Sequence, residues 1–174
     1  IKIKGDICEF GVFKGNSLNR LIIFRDFYSN KKKIFAFDTF KLIKLKKKNI
    51  DYQQYKDFLK VSKNFQPTAE KLRKQLKSKN MFSNISLVKG DVTKTLIRQN
   101  IKKISFILLD LDLYEPTQYV LNSVWSKLSK NGIILLDNYN VFKGETKAVN
   151  EFVKMKKISI FKKKLKRTFY YLKK

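Results

Sequence analysis

Short apolar segments that end in acidic residues recur five times along this chain. The acidic residues are Glu9, Asp38, Asp91, the pair Asp110 and Asp112, and Asp137. Segments with apolar residues at helical spacing separate them. Near-continuous apolar strands that alternate with amphipathic helices predict a parallel sheet covered on both faces. We therefore expect an α/β domain with a doubly wound, mostly parallel sheet, whose acidic residues share one edge.

The spacing of the hydrophobic residues and the positions of Gly, Pro and Asn define the predicted boundaries of the strands and helices. Strands are expected at residues 6–11, 34–40, 85–92, 104–110 and 132–137. Helices are expected to begin near Gly15, Pro67, Thr93, Glu115 and Gly144. The helix from Glu115 should continue to about Ser129 and end in a left-handed cap at Asn131 and Gly132. Residues 158–173 predict an antiparallel C-terminal hairpin, which brings the sheet to seven strands.

The length of 174 residues fits one domain spanning residues 1–174. The chain opens at Ile1 within a strand-like run, so we expect that an N-terminal segment precedes it in the whole protein. Residues 41–65 are lysine-rich and only partly periodic, which indicates an insertion or a lid. No apolar run approaches the roughly 18 residues that a membrane span needs. The single cysteine, Cys8, excludes an intramolecular disulfide and favours a cytoplasmic location.

A net charge of +26 and a pI near 10.1 would suit a polyanionic partner. The cations are 35 Lys and only 5 Arg, however, and Arg is the residue that reads bases and clamps phosphates. We therefore interpret the lysine clusters at residues 31–33, 46–48 and 162–164 as solvated surface and expect no specific nucleic-acid partner. A functional anionic partner, such as membrane lipid, acidic glycan or RNA, stays open as the alternative.

The loop after the first strand carries a pair of glycines, Gly11 and Gly15. A glycine pair at this point serves tight turning in many α/β folds, so alone it is a weak indication of a ligand. Asp38 ends the second strand, where a carboxylate can hold the two hydroxyls of a ribose. The loop lacks the Lys-Ser/Thr of a phosphate-binding P-loop. A nucleoside cofactor without phosphates, S-adenosylmethionine (SAM), fits this pattern.

Five segments of the chain resemble the macrocin O-methyltransferase family of class I methyltransferases. They are GDICEFGVFKGNS, FAFDTF, LVKGDV, ILLDLDLYEPT and GIILLDNYN, and together they span nearly the whole chain. The family pattern has an E-x-G-V-x-x-G loop, an F-D-S/T-F strand end, a D-G-D-x-Y-E-S/P-T turn and a D-D-Y strand end. The resemblance implies a Rossmann-like fold and a SAM-dependent enzyme that methylates a sugar hydroxyl, in a glycosylated natural product or a surface-glycan precursor.

The resemblance also implies which residues bind ligands. Those implied to bind SAM, from its methionine end to its adenine, are Glu9, Gly11, Gly15, Asn16, Ser17, Asp110, Asp38 and Asp91. Asp110, Asp137 and Asn138 are implied to bind a divalent cation, and Mg²⁺ is expected because these ligands are hard oxygens. Two positions depart from the family pattern. Leu111 stands where the family has Gly, and Asn138 replaces the second Asp of D-D-Y, which removes one unit of ligand charge.

Catalysis needs a base for the proton of the acceptor hydroxyl. Asp112, Tyr114 and Glu115 are implied to shape the acceptor side. The chain has no histidine, so the base is expected to be Asp110, Asp112 or Glu115, unless an upstream segment supplies it. A cation that held two neighbouring sugar hydroxyls would lower the pKa of the acceptor and orient it.

Other interpretations of the same residues stay open. Asp110 and Asp112 could be a charge pair at the N-terminus of the helix that follows, and Asp137, Asn138 and Tyr139 could form a plain strand-ending turn. The alternative functions are a catechol-like O-methyltransferase and a basic nucleic-acid-binding or RNA-modifying domain. The sequence also leaves a homo-oligomer open.

Overall fold

The structure, a computed structural model, describes residues 3–28, 31–62, 68–79, 81 and 83–174. The strands in these ranges are β1 Asp6–Phe10, β2 Ile34–Asp38, β3 Ile85–Lys89, β4 Ile104–Leu109, β5 Leu128–Leu136, β6 Phe161–Lys164 and β7 Thr168–Lys173. They form one sheet in the order β3-β2-β1-β4-β5-β7-β6. The first five strands pair in parallel, and β7 is antiparallel to both β5 and β6. The predicted seven-stranded, doubly wound sheet with its antiparallel hairpin is confirmed.

Helices cover both faces of this sheet. Those in the described ranges are α1 Asn16–Phe27, α2 Tyr52–Ser62, α3 Ala69–Ser78, α4 Val92–Thr95, α5 Tyr114–Val124 and α6 Lys143–Lys156. One hydrophobic core joins the sheet to α1 and α3 through residues such as Ile22 and Leu72. The other joins it to α4, α5 and α6 through residues such as Val92, Leu121 and Phe152. Within the described ranges, no helix is long and apolar enough to cross a membrane.

The strand order reverses at β1, which pairs with β2 on one side and with β4 on the other. In sheets of this kind ligands bind beyond the C-terminal strand ends at such a reversal. Backbone hydrogen bonds continue past the strands there: the Gly11 N–H donates to the Phe37 carbonyl at 2.9 Å, and the Asp110 N–H donates to the Phe10 carbonyl at 2.8 Å. The polar strand ends therefore meet at one edge of the sheet.

The predicted end of the helix from Glu115 is wrong. That helix, α5, ends at Val124, and the chain then turns into β5. Asn131 does adopt a left-handed conformation, with φ of 64°, but it lies within β5, where the pairing with β4 shifts register. Its N–H donates to the Lys174 carbonyl at 2.6 Å. An Asn-Gly pair marks a left-handed residue, and such a residue serves a strand bulge as well as a helix cap.

The predicted insertion at residues 41–65 is described as far as residue 62, and we call residues 41–62 the rim segment. It contains α2, and it lies at the edge of the sheet where the strands end. Residues 63–65 lie outside the described residues, as does Pro67 of the predicted helix start. The helix there, α3, begins at Ala69, and the side chain of Thr68 caps it by accepting the Lys71 N–H at 3.1 Å.

Candidate active site

A cavity of about 360 Å³ opens beyond the C-terminal ends of β1, β2, β4 and β5. Predicted site residues that line it are Gly11, Asp38, Asp110, Asp112, Asp137 and Asn138. The facing wall comes mostly from the rim segment and includes Leu42, Ile43, Tyr55 and Phe58. The cavity thus combines an acidic side with an apolar, partly aromatic side.

The glycine loop lies where only glycine fits. Gly11 has φ of 89°, and a Cβ atom there would lie 1.7 Å from the Asp110 carbonyl oxygen. Gly15 has φ of 79°, and a Cβ atom there would lie 2.5 Å from Leu72 of α3. Both positions combine left-handed backbone with close packing, so any side chain would strain the loop. The glycines allow the loop to lie against the backbone of Asp110 at one end and against α3 at the other.

Asp38 fixes the shape of the same loop from the end of β2. Its Oδ2 accepts the backbone N–H groups of Val12 and Phe13, each at 2.8 Å, and its Oδ1 accepts the Phe40 N–H at 2.7 Å. A carboxylate offers about four acceptor sites, so Asp38 can hold the loop and still face a ligand in the cavity. The predicted ribose contact stays a prediction.

Glu9 is a fully buried carboxyl group behind the cavity. Its Oε1 accepts a hydrogen bond from the Ser17 hydroxyl, and its Oε2 has no partner among the described residues. Burial raises the pKa of Glu9 to about 8; the charges of Asp110 and Asp38 add to that rise, and the Ser17 hydrogen bond opposes it. At neutral pH the group is therefore largely protonated. Asn16, next in the loop, is exposed at the start of α1.

Asp110 and Asp112 share the amide of Asn138. The Asn138 Nδ2 donates to the Oδ1 of each carboxylate at 2.6 Å. Burial raises the pKa of Asp110 to about 8, and the negative charges of Asp112 and Asp137 add to it. Burial likewise raises the pKa of Asp112 to about 6, with the charge of Asp137 adding to it. Burial and the mutual repulsion of the three acidic side chains thus favour the protonated form of Asp110 and Asp112.

Glu145, in the first turn of α6, ties the two acidic loops together. It is fully buried, and its two oxygens accept the Asp112 N–H at 3.1 Å and the Asn138 N–H at 3.3 Å. Burial, followed by repulsion from Asp112 and Asp110, raises its pKa to about 8. Sequence reasoning did not identify Glu145, because an acidic residue in a first helical turn is ordinary there. Glu145 lies only seven residues after Asn138 in the sequence, and this nearness to a predicted site residue is the feature that could have identified it.

The rim segment supplies caps for two helices far from it in sequence. The Oδ2 of buried Asp51 accepts the Tyr114 N–H at 2.7 Å, at the start of α5. Gln54 accepts the Lys143 N–H at 2.8 Å, at the start of α6, and donates to the Val141 carbonyl at 2.8 Å. These bonds attach the apolar wall of the cavity to the helices that follow the acidic loops.

Asp91 and Glu115, like Glu9 and the residues from Gly15 to Ser17, do not line the cavity. Asp91 caps α4, where its Oδ1 accepts the Thr93 N–H at 2.9 Å and the Thr93 hydroxyl at 2.8 Å. Glu115 is exposed on α5 and faces a separate depression beside Thr93 and Gln118. Their predicted roles at the adenine and at the acceptor stay predictions.

The predicted metal ligands, Asp110, Asp137 and Asn138, are of the chemical type that binds Mg²⁺, but their side chains are not arranged around a common metal position. The described residues contain no group of three or more His, Cys, Asp or Glu side chains that could hold a metal ion. Asn138 turns its NH₂ group toward both carboxylates, and the Oδ1 of Asp137 pairs with Arg167 at 2.8 Å. The carboxyl groups of Asp110, Asp112 and Asp137 and the amide of Asn138 nevertheless carry hard oxygen donors of the kind that Mg²⁺ prefers.

The model of the macrocin O-methyltransferase family matches residues 1–174. The chain belongs to this family. Among solved structures, the O-methyltransferase NovP aligns over 99% of this chain and 72% of its own, with a TM-score of 0.85 and 21% identity. CalS11, a TDP-rhamnose 3′-O-methyltransferase of calicheamicin biosynthesis, aligns over 98% of this chain and 71% of its own, with a TM-score of 0.70 and 27% identity.

A third similar structure was solved with S-adenosylhomocysteine (SAH) bound. It is the methyltransferase PaMTH1 of Podospora anserina, which aligns over 97% of this chain and 70% of its own, with a TM-score of 0.61 and 16% identity. No curated protein matches the chain by sequence. The family and the fold make this chain a SAM-dependent O-methyltransferase, as the sequence predicts.

Proposed function

We propose that this enzyme methylates a hydroxyl group of a sugar, in a glycosylated natural product or a surface-glycan precursor. The observation that carries the proposal is the cavity in which Asp110, Asp112 and Asn138 lie beside the glycine loop. Neighbouring sugar hydroxyls could donate hydrogen bonds to the carboxyl oxygens of Asp110 and Asp112, which line this cavity. CalS11, which is named for a sugar substrate and is 27% identical to this chain, supports the same acceptor class.

The loop residues would place the sulfonium of SAM next to these acids. Gly11 lines the cavity and lies against the backbone of Asp110, so a cofactor there meets both the loop and the acidic side. Asp38 would accept hydrogen bonds from the ribose. The negative charges of the cavity would also attract the positively charged sulfonium of SAM, and that charge is lost when the methyl group leaves.

The chain's own carboxylates can remove the proton of the acceptor. Asp112, which is largely ionised at neutral pH, would accept that proton as the hydroxyl oxygen forms a bond to the methyl carbon, and Asp110 could replace it only where the pH is high enough to ionise it. The carbon–sulfur bond breaks, its electron pair stays on sulfur, and the products are a methyl ether and SAH. A pKa near neutral pH suits a group that must accept and later release a proton, and the pKa values of Asp112 and Asp110 are raised to about 6 and about 8.

We also propose that Mg²⁺ assists the reaction, held by Asp110, Asp137 and Asn138. Asn138 would have to turn its amide oxygen toward the ion, and Asp137 would share its charge between the ion and Arg167. When bound, the cation would lower the pKa of a coordinated hydroxyl. The position of Asp110, Asp112 and Asp137 in the lining of one cavity, where they repel one another, supports a cation here.

The apolar wall of the cavity supports a second candidate, a catechol-like acceptor. Phe13, Tyr55, Phe58 and Phe142 line this wall, and aromatic rings stack well on a flat ligand. The same rings could instead pack on the adenine of SAM, which leaves the sugar as the first candidate.

The first experiment is isothermal titration of the chain with SAH, with and without MgCl₂. We expect micromolar binding, and Asp38→Ala should weaken it about tenfold or more because hydrogen bonds to the charged carboxylate are lost. Transfer of a labelled methyl group from SAM to TDP-rhamnose or to a catechol then identifies the acceptor class. Transfer only to the catechol would overturn the sugar proposal, and transfer unchanged by a chelator would overturn the role of Mg²⁺.

A further inference from the structure

The C-terminal hairpin projects beyond the edge of the sheet at which the cavity opens. β5 ends at Leu136, which pairs with Tyr170 of β7. The preceding residues of β7, Thr168 and Phe169, pair only with β6. The turn of the hairpin is thus carried past the sheet, and Arg167 in it reaches Asp137 in the cavity lining at 2.8 Å. This ion pair fixes the hairpin turn beside the mouth of the cavity.

Residues 162–167, which we call the hairpin tip, are cationic and exposed. Their sequence is Lys-Lys-Lys-Leu-Lys-Arg, and no acidic residue follows Glu151 in the chain. Every residue from 161 to 168 is exposed, and Leu165 in the turn is 63% exposed. Among the described residues, Arg167 has an acidic partner, and none of the four lysines of the tip forms an ion pair. The tip therefore presents unpaired positive charge around one large aliphatic side chain.

Protection of an edge strand explains part of this composition. β6 is the last strand of the sheet, and lysines on an edge strand discourage pairing with other chains. That purpose accounts for Lys162 and Lys164 in the strand. It does not account for an exposed leucine between two lysines in the turn, because an exposed apolar side chain there would promote association.

We propose that the hairpin tip docks the enzyme on an anionic lipid surface. The lysines would contact lipid phosphates, and Leu165 would enter the boundary between headgroups and acyl chains, as the apolar residues of interfacial segments do. Four lysines around an aliphatic side chain favour lipid over nucleic acid, because arginine forks and stacking rings bind nucleic acid and the one arginine of the tip is already paired with Asp137. Docking would turn the mouth of the cavity toward the membrane surface.

Cosedimentation of the full chain with vesicles tests this proposal without any need for turnover. We expect binding to vesicles of phosphatidylglycerol and phosphatidylcholine and little binding to phosphatidylcholine alone. Changing Lys163, Lys164 and Lys166 together to Gln should lower the partition coefficient about fivefold per lysine, or roughly a hundredfold. The matched control changes Lys102, Lys103 and Lys130 to Gln, which are exposed at the opposite edge of the sheet.

Leu165→Ser separates lipid insertion from general attraction to polyanions. It should weaken vesicle binding several-fold and leave binding to polyuridylate unchanged. Equal losses in the two lysine variants would overturn the proposal, because the net charge alone would then drive binding. Preferential binding of the hairpin tip to polyuridylate would overturn it in favour of RNA. Neither outcome affects the proposed methyl transfer, which is measured with soluble acceptors.

Discussion

Glu145 holds the two acidic loops at their observed spacing, because its two oxygens accept backbone N–H groups from both. Glu145→Gln leaves only one acceptor oxygen and sets an NH₂ group against the other N–H. We expect a loss of about 1–3 kcal/mol in the free energy of unfolding and a lower kcat, with little change in SAH affinity. Urea unfolding and single-turnover rates measure these effects. The matched variant is Glu151→Gln, exposed on the same helix; equal effects in the two variants would contradict this role.

Glu9 makes the free energy of unfolding depend on pH. Its folded-state pKa is about 8, above the ordinary 4.5, so folding takes up a proton between these values. The stability that this group contributes is present below the lower pKa and is lost as the pH rises to the upper one, on the order of 5 kcal/mol in all. Glu9→Gln should flatten the fall of stability across that range, whereas the exposed control Glu70→Gln should not. If the free energy of unfolding changed with pH in the same way in wild type and in Glu9→Gln, Glu9 would not be the group responsible.

At the scale of elements, the rim segment and α5 depend on each other through Asp51. Leu113 at the helix N-cap offers no side-chain bond, so Asp51 serves as the cap. We expect Asp51→Ala to cost about 1–2 kcal/mol of stability and to raise the KM for the acceptor, since the wall carrying Tyr55 would loosen. Urea unfolding and steady-state kinetics measure both effects. Asp57→Ala, exposed on α2, is the control, and a KM equal to that of the control would argue against coupling of the wall to α5.

Helices and strands could be predicted where residues close together in the sequence determine them. The hydrophobic period and the turn residues located all seven strands and the starts of α1, α3, α4, α5 and α6 within a few residues, whereas α2 lies in the segment that was predicted only as an insertion or a lid. The positions of the glycine loop and of Asp38 followed from the same strand ends. The end of α5 was missed because a left-handed Asn-Gly pair fits a helix cap and a strand bulge equally well. Asp51 and Gln54 were missed because their partners lie 63 to 89 residues away in sequence. The lysine-rich composition of the rim segment gave no indication of either contact.

Over the whole molecule, the charges are segregated by sign. Seven of the fourteen acidic residues lie at or behind the cavity: Glu9, Asp38, Asp51, Asp110, Asp112, Asp137 and Glu145. The other seven are left to balance the 40 Lys and Arg residues of the chain. The ion pairs among the described residues are few, and most of their side chains are exposed. Exposed pairs stabilise little, so repulsion between cations should dominate the long-range electrostatics of folding.

This balance predicts that salt stabilises the protein. Raising NaCl from about 0.01 M to 0.1 M shortens the Debye length from about 30 Å to about 10 Å, which screens repulsion across the surface more than it weakens the short contacts at the cavity. We expect Tm at neutral pH to rise over this range. Chloride and sulfate compared at equal ionic strength separate screening from anion binding, since screening alone gives equal shifts. A Tm that falls with salt would mean that attractive pairs, and not the excess of lysine, govern the stability of the fold.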